Sequence, residues 1–302
     1  MEIKNVMIAG AGVLGSQIAW QVAFSGFNVV VYDAFEKGIK AGKDFHNNFA
    51  RLFEEKGMAT KKQIEETFSR LTYTTNLEEA VRNADLVSES IPEVEEIKKS
   101  FYSELSKIAP DKTIFTTNSS TMLPSMFAEY TGRPEKFLAL HFANPVWEAN
   151  IGEVMMHEKT DKKYFDIVLK FASDIGMIPI PIYKEQPGYV LNSLLVPLLK
   201  AARTLLFRGI SDPYSIDKTW MISTGAKIGP FGIIDMVGMD TVYNIALRNG
   251  KINNDEESLK MAEYCKKNYI DKGKKGIKTG EGFYKYPNPA YQNPEFLSAN
   301  KE

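Results

Sequence analysis

The 302-residue sequence has few of the residues that form cross-links and metal sites. It contains one cysteine, Cys265, and three histidines. A single cysteine cannot form an intrachain disulfide and is typical of a reducing compartment, so we expect a cytoplasmic protein. So few thiolate and imidazole ligands also argue against a Cys/His zinc site, and the sequence predicts no metal.

Excess charge and long apolar runs are absent as well. Lys and Arg number 37 against 38 Asp and Glu, which gives a formal net charge of −1. A nearly neutral chain has no electrostatic attraction for nucleic acid or an anionic membrane surface. No stretch approaches the roughly 18 apolar residues of a transmembrane helix, and the N-terminus lacks a signal-peptide pattern. The sequence therefore predicts neither nucleic acid nor a membrane as partner.

The patterns that are present alternate between strand and helix. At about 150 residues per domain, the length predicts two domains. Val29-Val30-Val31-Tyr32 is typical of a strand buried on both faces, and similar runs occur at 71–74, 85–88, 113–117, 136–141 and 177–182. Helical patterns separate many of these runs, at 13–25, 36–56, 61–69, 94–109 and 161–175. This alternation predicts an α/β fold with a Rossmann-type, doubly wound, mostly parallel sheet.

The pattern changes after Gln186-Pro187-Gly188. From there we find only helical patterns, at 189–208, 213–224, 232–250 and 256–270. We therefore expect a sheet domain over residues 1–185 and an all-helical second domain over residues 186–302. The polar end, residues 290–302, is expected to be a loose tail.

A glycine-rich motif, Gly10-Ala11-Gly12-Val13-Leu14-Gly15, lies between the first strand and the first helix. Asp33 ends the second strand, 23 residues after the first glycine, as in a dinucleotide-binding unit. Its carboxylate accepts hydrogen bonds from a ribose 2′-hydroxyl and repels a 2′-phosphate, which favours NAD over NADP. FAD shares the fingerprint, but a helical second domain favours NAD. The predicted cofactor-binding residues here are Gly10, Gly12, Val13, Leu14, Gly15 and Asp33.

A nicotinamide enzyme that oxidises an alcohol needs a base for the hydroxyl proton, and histidine suits this role near neutral pH. His46 lies among polar residues of a helix and is expected to be solvated. His157 lies beside charges and is expected to be superficial. His141 ends an apolar strand, where ligands collect in open α/β sheets, and is therefore the candidate base.

Further motifs occur in a characteristic order along the chain. They are the glycine motif, Asp33, Pro92-Glu93 with Lys98, Asn118-Ser119-Ser120, His141-Phe142-Ala143-Asn144-Pro145, Glu153, Pro187-Gly188-Tyr189-Val190-Leu191-Asn192, Gly229-Pro230-Phe231 and the segment from Gly276 to Tyr284. In these motifs the sequence resembles the L-3-hydroxyacyl-CoA dehydrogenase family over nearly its whole length.

The resemblance implies a role for each matching residue. His141 would be the general base for oxidation and the acid for reduction, with Glu153 orienting its imidazole. Ser120 and Asn192 would hydrogen-bond the reacting oxygen, in a cleft between two domains that closes over the substrate. Three further positions would lie near the nicotinamide half of the cofactor: Glu93, Lys98 and Asn118. The resemblance also implies a homodimer formed by the helical domains.

Several positions around the predicted catalytic loop differ from the usual family pattern. These positions are Ala143, the segment 146–152 and Ser193. With its segments 117–121 and 191–197, the sequence looks closer to the diketoreductase branch, which handles substrates without CoA. The expected activity is interconversion of a short L-3-hydroxyacyl-CoA and its 3-keto form. The alternatives are reduction of CoA-free diketo acids or esters, a sugar-acid 3-dehydrogenase, and a non-catalytic NAD-binding protein.

Overall fold

The computed structural model describes residues 2–298 and places eight strands in one sheet, with eleven α-helices. The strands are β1 (Asn5–Ala9), β2 (Asn28–Tyr32), β3 (Leu71–Thr74), β4 (Leu86–Glu89), β5 (Ile114–Thr117), β6 (Phe137–Phe142), β7 (Ile151–Met155) and β8 (Ile178–Ile182). The helices are α1 (Val13–Phe24), α2 (Glu36–Glu55), α3 (Lys61–Ser69), α4 (Leu77–Val81), α5 (Glu95–Ile108), α6 (Lys162–Asp174), α7 (Leu191–Phe207), α8 (Pro213–Thr224), α9 (Pro230–Val237), α10 (Met239–Asn253) and α11 (Glu256–Asn268).

The strand order is β3-β2-β1-β4-β5-β6-β7-β8, and the first six strands run parallel. This order confirms the predicted doubly wound sheet. The order reverses between β1 and β4, so a crevice forms at the carboxyl ends of these strands. The chain divides into two compact units between Leu191 and Asn192.

Strand β7 is missing from the sequence-based prediction, although it carries a predicted site residue. It pairs antiparallel with β6, and the register sets His141 directly opposite Glu153. Directly opposed residues of an antiparallel pair project from the same face of the sheet. The pairing of two strands therefore brings these two side chains together.

Two apolar clusters cover the two faces of the sheet. Alternate residues of β1 point to opposite sides, so Val6 and Ile8 join the cluster beneath α1, α2 and α6. Met7 and Ala9 join the cluster beneath α4 and α5. The sheet is thus covered on both faces, and its functional groups emerge at strand ends.

His46 contradicts the prediction of a solvated side chain, because it is completely buried in α2. It shares the inner face of the helix with Ile39, Ala50 and Phe53, at multiples of about three or four residues. Its Nδ1 lies 2.7 Å from the Tyr73 hydroxyl, and its Nε2 lies 2.9 Å from the Ser16 carbonyl oxygen. Burial lowers the pKa of His46 to about 4.

His157 is also buried, against the prediction that it is superficial. Its Nε2 lies 3.1 Å from the Pro134 carbonyl oxygen, and the Lys159 backbone N–H donates to its Nδ1. Burial lowers the pKa of His157. Both histidines thus have structural partners within the sheet unit.

The second unit is helical, with two departures from the sequence-based prediction. The segment 232–250 is not one helix, because Gly238 has φ +91° and separates α9 from α10. The segment 290–298 is not a loose tail, since Phe296 packs into the core of this unit. Residues 299–302 lie outside the described part of the chain. No helix of residues 2–298 combines the length and apolarity needed to cross a membrane.

Candidate functional site

Three side chains of the sheet unit form a hydrogen-bonded line at the end of β6. The Nδ1 of His141 lies 2.9 Å from Glu153 Oε2, and its Nε2 lies 2.9 Å from Ser120 Oγ. His141 comes from β6, Glu153 from β7, and Ser120 from the loop after β5. The predicted residues Ser120, His141 and Glu153 therefore lie together at the carboxyl ends of β5 and β6.

Glu153 fixes which imidazole nitrogen carries the proton. Its second oxygen, Oε1, accepts the backbone N–H groups of Val190 and Leu191 at 2.9 and 2.8 Å. An ionised carboxylate can only accept hydrogen bonds, so Nδ1 of His141 must be the donor toward Oε2. The Nε2 lone pair of the neutral ring then points to Ser120, which is exposed. This tautomer can take a proton from a ligand at Nε2.

Tyr189 is part of this site and was not singled out from the sequence. Its ring stacks on the imidazole of His141, with centroids 4.4 Å apart and planes inclined by 14°. Its hydroxyl donates to the Ser119 carbonyl oxygen at 2.7 Å. Burial and the nearby Glu153 raise the pKa of the Tyr189 hydroxyl, so it stays protonated at neutral pH. The available sequence signal was an aromatic residue directly after Pro187-Gly188.

Glu93 and Lys98 belong to an ionic cluster beside this line, in which Lys98 is buried and Glu93 is exposed. Lys98 is 1% exposed and lies 2.5 Å from Glu89 and 3.2 Å from Glu93. Glu93 accepts hydrogen bonds from the hydroxyls of Ser119 and Thr121. Although burial opposes ionisation, these bonds and the Lys98 charge hold the pKa of Glu93 below its usual range. The cluster therefore fixes the two residues that flank Ser120.

Glu89 is the member of this cluster that sequence reasoning missed. It is fully buried at the end of β4, and it accepts hydrogen bonds from Tyr102, Thr117 and the Ile91 backbone. A carboxylate inside an apolar strand, nine residues before Lys98, was the available signal. Together with Lys98, these donors supply hydrogen bonds to both carboxylate oxygens of Glu89.

Asn118 fastens the β5 loop to the strand that carries the histidine. Its Oδ1 accepts the Phe142 backbone N–H at 2.9 Å, and its Nδ2 donates to Ser90 Oγ at 3.3 Å. The three residues predicted to lie near the cofactor thus have fixed partners: Glu93 pairs with Lys98 and Ser119, and Asn118 bonds to Ser90.

The glycine motif forms a cradle that fits a dinucleotide pyrophosphate. Gly10 has φ +103°, and a side chain there would clash with the Ser90 carbonyl. A Cβ at Gly15 would clash with the Gly10 carbonyl, so α1 packs against the strand end only with glycine there. A Cβ at Gly12 would meet nothing within 4 Å, so this backbone faces open space. The N-cap of α1 has no side-chain hydrogen bond, which leaves its first N–H groups available for an anion.

Asp33 stands beside this cradle with a fixed carboxylate. One oxygen accepts the Ala11 backbone N–H and the other accepts the Phe35 backbone N–H, both at 3.0 Å. Each oxygen retains a further lone pair for a ribose hydroxyl. Val13 is exposed and Leu14 half-buried at the start of α1. The six predicted cofactor residues of this region therefore cluster around one cradle.

Asn192, the fourth predicted catalytic residue, is the first residue of the helical unit and lines a small cavity within it. Residues 2–298 contain no group of three or more His, Cys, Asp or Glu side chains arranged to hold a metal ion.

Two family models match consecutive parts of this chain. The family model described as 3-hydroxyacyl-CoA dehydrogenase, NAD binding domain matches residues 5–186. The model of the 3-hydroxyacyl-CoA dehydrogenase C-terminal domain matches residues 188–286. The chain is 34% identical to mitochondrial hydroxyacyl-coenzyme A dehydrogenase of Rattus norvegicus, covering 94% of this chain and 91% of the relative.

Two further relatives cover almost the whole chain. A probable 3-hydroxybutyryl-CoA dehydrogenase of Bacillus subtilis is 32% identical, over 95% of this chain and 98% of its own length. The solved structure of a diketoreductase, described as a catalyst of dicarbonyl compounds, is 50% identical with a TM-score of 0.91. It covers 95% of this chain and 100% of the diketoreductase chain.

Proposed function

This chain belongs to the 3-hydroxyacyl-CoA dehydrogenase family, and we propose from this premise that it interconverts a 3-hydroxy and a 3-keto group with NAD(H). The observation that best supports this proposal is the pair of hydrogen bonds that link Glu153 to His141 and His141 to Ser120. It provides a base whose free nitrogen faces outward and whose other nitrogen is held by a buried carboxylate.

Each residue has a defined task in the proposed reaction. His141 Nε2 takes the hydroxyl proton in oxidation and returns it in reduction. Glu153 holds the imidazole and stabilises the imidazolium that forms. Ser120 and Asn192 hydrogen-bond the reacting oxygen. NAD⁺, held by the glycine cradle and Asp33, supplies the hydride acceptor when bound. Glu93, Lys98 and Asn118 maintain the loop near the nicotinamide half.

The proposed substrate is a short L-3-hydroxyacyl-CoA, on the strength of the relatives named for hydroxyacyl-CoA and 3-hydroxybutyryl-CoA. A CoA-free dicarbonyl compound is the second candidate, favoured by the 50% identity to the diketoreductase. One contact bears on this choice. Residues 43–63 hold five Lys and Arg against three Asp and Glu, and we propose that this weakly basic segment faces the CoA phosphates. Its Lys56 pairs with Glu148 at 2.9 Å, so the charge of this cation is partly neutralised.

The two candidates separate in one kinetic comparison. At fixed NADH, kcat/KM is measured for acetoacetyl-CoA and for a CoA-free 3,5-diketo ester. If CoA contributes binding energy, the thioester wins by orders of magnitude, and added salt reduces its advantage. An equal or faster reaction of the ester assigns the CoA-free substrate and leaves the proton-transfer machinery unchanged. No NADH oxidation with either compound, in protein shown to bind NADH, rejects the proposed reaction.

The proposal includes a homodimer formed through the helical unit, in the cytoplasm. Large apolar side chains on this unit are exposed in the single chain, including Leu194 at 70% and Ile222 at 61%. Burial of such side chains between two copies would remove apolar surface from water. Light scattering coupled to size-exclusion chromatography tests the dimer, and a monomeric mass at micromolar concentration contradicts it.

A further inference from the structure

Arg203 is a buried cation that the proposed reaction does not use. It lies on α7 and is 7% exposed. Its Nε donates to the Leu199 carbonyl oxygen at 3.1 Å, one helical turn earlier. Its Nη1 is buried and has no hydrogen-bond partner within the described part of the chain. An unpaired buried guanidinium is unfavourable, which calls for an anion that the helical unit itself does not supply.

A cavity of about 70 Å³ lies against this guanidinium. Its two polar lining residues are Asn192 and Arg203, both on α7. The rest of the lining is apolar and comes from α7, α9 and α10: Leu195, Val196, Leu199, Val237, Val242 and Ile245. The cavity is therefore an apolar channel along one helix face, with an amide toward one end and a cation toward the other.

The spacing on α7 explains this arrangement. Asn192, Leu195, Leu199 and Arg203 are separated by three or four residues, so they form one stripe on the helix. The Arg203 side chain leans back to the level of Leu199, as its bond to that carbonyl shows. Seven residues separate Leu199 from Asn192, which corresponds to about 10 Å of helix.

We propose that this cavity is a subsite for a carboxylate, with the Arg203 guanidinium as its counter-ion. A planar guanidinium pairs with a planar carboxylate through two parallel hydrogen bonds. The volume suits this ligand class, because it corresponds to roughly five water molecules, enough for a carboxylate and a short apolar chain. Burial lowers the pKa of Arg203, and the neighbour that partly offsets this shift is the Cys265 thiol and not a carboxylate.

The subsite also narrows the substrate, and this step rests on the proposed role of Asn192 at the reacting oxygen. A ligand that starts at Asn192 and follows the apolar channel reaches Arg203 about 10 Å away. The substrate class is then a 3-keto or 3-hydroxy compound whose chain ends in a free carboxylate. Neutral chains fill the same channel but leave the guanidinium unpaired.

A binding experiment on the full-length protein tests the subsite without any turnover. The probes are hexanoate and hexanamide, which share length and shape but differ in charge, at matched ionic strength in calorimetry. We expect hexanoate to bind about 10- to 100-fold more tightly than hexanamide, as for a hydrogen bond to a charged group. Arg203→Met should abolish this difference, and Arg203→Lys should keep part of it. Equal binding of the two probes to the unaltered protein overturns the subsite.

A kinetic experiment then tests the substrate class. The paired substrates are the free-carboxylate monoester and the dimethyl ester of 3-oxoadipate, with NADH. We expect the free carboxylate to have the higher kcat/KM, and Arg203→Met to bring the ratio of the two kcat/KM values close to one. If the monoester and the diester react at equal rates in both the unaltered and the Arg203→Met protein, the proposed substrate class is rejected. The proposed reaction is not affected by that result.

The remaining outcomes are also distinct. If neither ester nor acetoacetyl-CoA is reduced while hexanoate still binds through Arg203, the proposed function fails and the subsite stands. If Arg203→Met instead changes the association state and leaves hexanoate binding unaltered, Arg203 is neutralised by a second copy and the subsite is overturned.

Discussion

Replacing Glu153 with glutamine tests whether this side chain selects the imidazole tautomer. The glutamate accepts three hydrogen bonds, from His141 Nδ1 and from the Val190 and Leu191 backbones. A glutamine has one accepting oxygen and one donating NH₂ group. Its oxygen can keep the two backbone bonds, and its NH₂ then faces Nδ1. Nδ1 must become the acceptor, so the proton moves to Nε2.

The functional loss follows from that switch. With the proton on Nε2, the nitrogen that faces Ser120 can no longer accept a substrate proton. The opposite amide orientation would keep the tautomer but leave two backbone N–H groups against an NH₂, at about 1–3 kcal/mol each. The first orientation is therefore favoured. We expect kcat/KM for alcohol oxidation to fall by about 10²–10⁴, with the thermal unfolding temperature nearly unchanged.

The assay is NADH absorbance over a pH series, combined with ¹⁵N NMR of the histidine side chains to identify the tautomer. Glu129→Gln is the matched control, since it removes the same charge from an exposed ion pair with Lys159, and it should change the rate by less than about twofold. Glu153→Gln protein with full activity and an unchanged pH profile would refute the orienting role.

Four further outcomes are expected. His141→Ala should lower turnover by about 10²–10⁴ while NADH binding measured by fluorescence persists, and a loss below tenfold in a chemistry-limited enzyme contradicts the acid–base role. Cofactor titration should show that NADH binds more tightly than NADPH, because the Asp33 carboxylate repels a 2′-phosphate. Asp33→Ser should reduce this difference in affinity, and comparable affinities in the unaltered protein reject the proposed role of Asp33. Tyr189→Leu should lower kcat/KM by up to about fivefold, because the aromatic face under the imidazolium contributes about 0.5–1 kcal/mol, and Tyr189→Phe should lower it less; equal losses in the two variants contradict the stacking role. His46, with a pKa near 4 instead of 6.5, is protonated first in the unfolded chain. Its stabilising effect is complete above pH 6.5 and is lost as the pH falls toward 4, by about 3 kcal/mol. Urea unfolding at a series of pH values between 7 and 4.5 measures this loss. If the free energy of unfolding depends on pH in His46→Gln as it does in the unaltered protein, another group is responsible.

Features that depend on local chain geometry could be predicted from the sequence. The turn between β1 and α1 needs glycine at Gly10 and Gly15, and Asp33 follows at a distance set by one helix and one strand. The predicted position of His141 at a strand end depended likewise on an apolar run followed by a loop. Each of these features is determined by neighbours in the sequence.

Features that depend on distant contacts were missed. His46 has polar neighbours in the sequence, but the helix turns it inward toward Ser16 and Tyr73, where Ile39 and Phe53 also face. Strand β7 has a glycine as its second residue and is recognisable only through its pairing with β6. Tyr189 enters the site because its ring meets an imidazole 48 residues earlier in the chain. Such contacts exist only after the sheet has formed.

The antiparallel pairing of β6 and β7 makes the contact between His141 and Glu153 independent of the loop that joins the two strands. The ladder of hydrogen bonds holds His141 opposite Glu153, whatever sequence connects the two strands. The connecting segment, residues 143–150, can therefore be rewritten without misaligning the proton-transfer pair. Here it differs from the common family pattern at Ala143 and from Val146 onward. The loop can therefore change in sequence and length while the hydrogen bond between His141 and Glu153 is retained in the sheet.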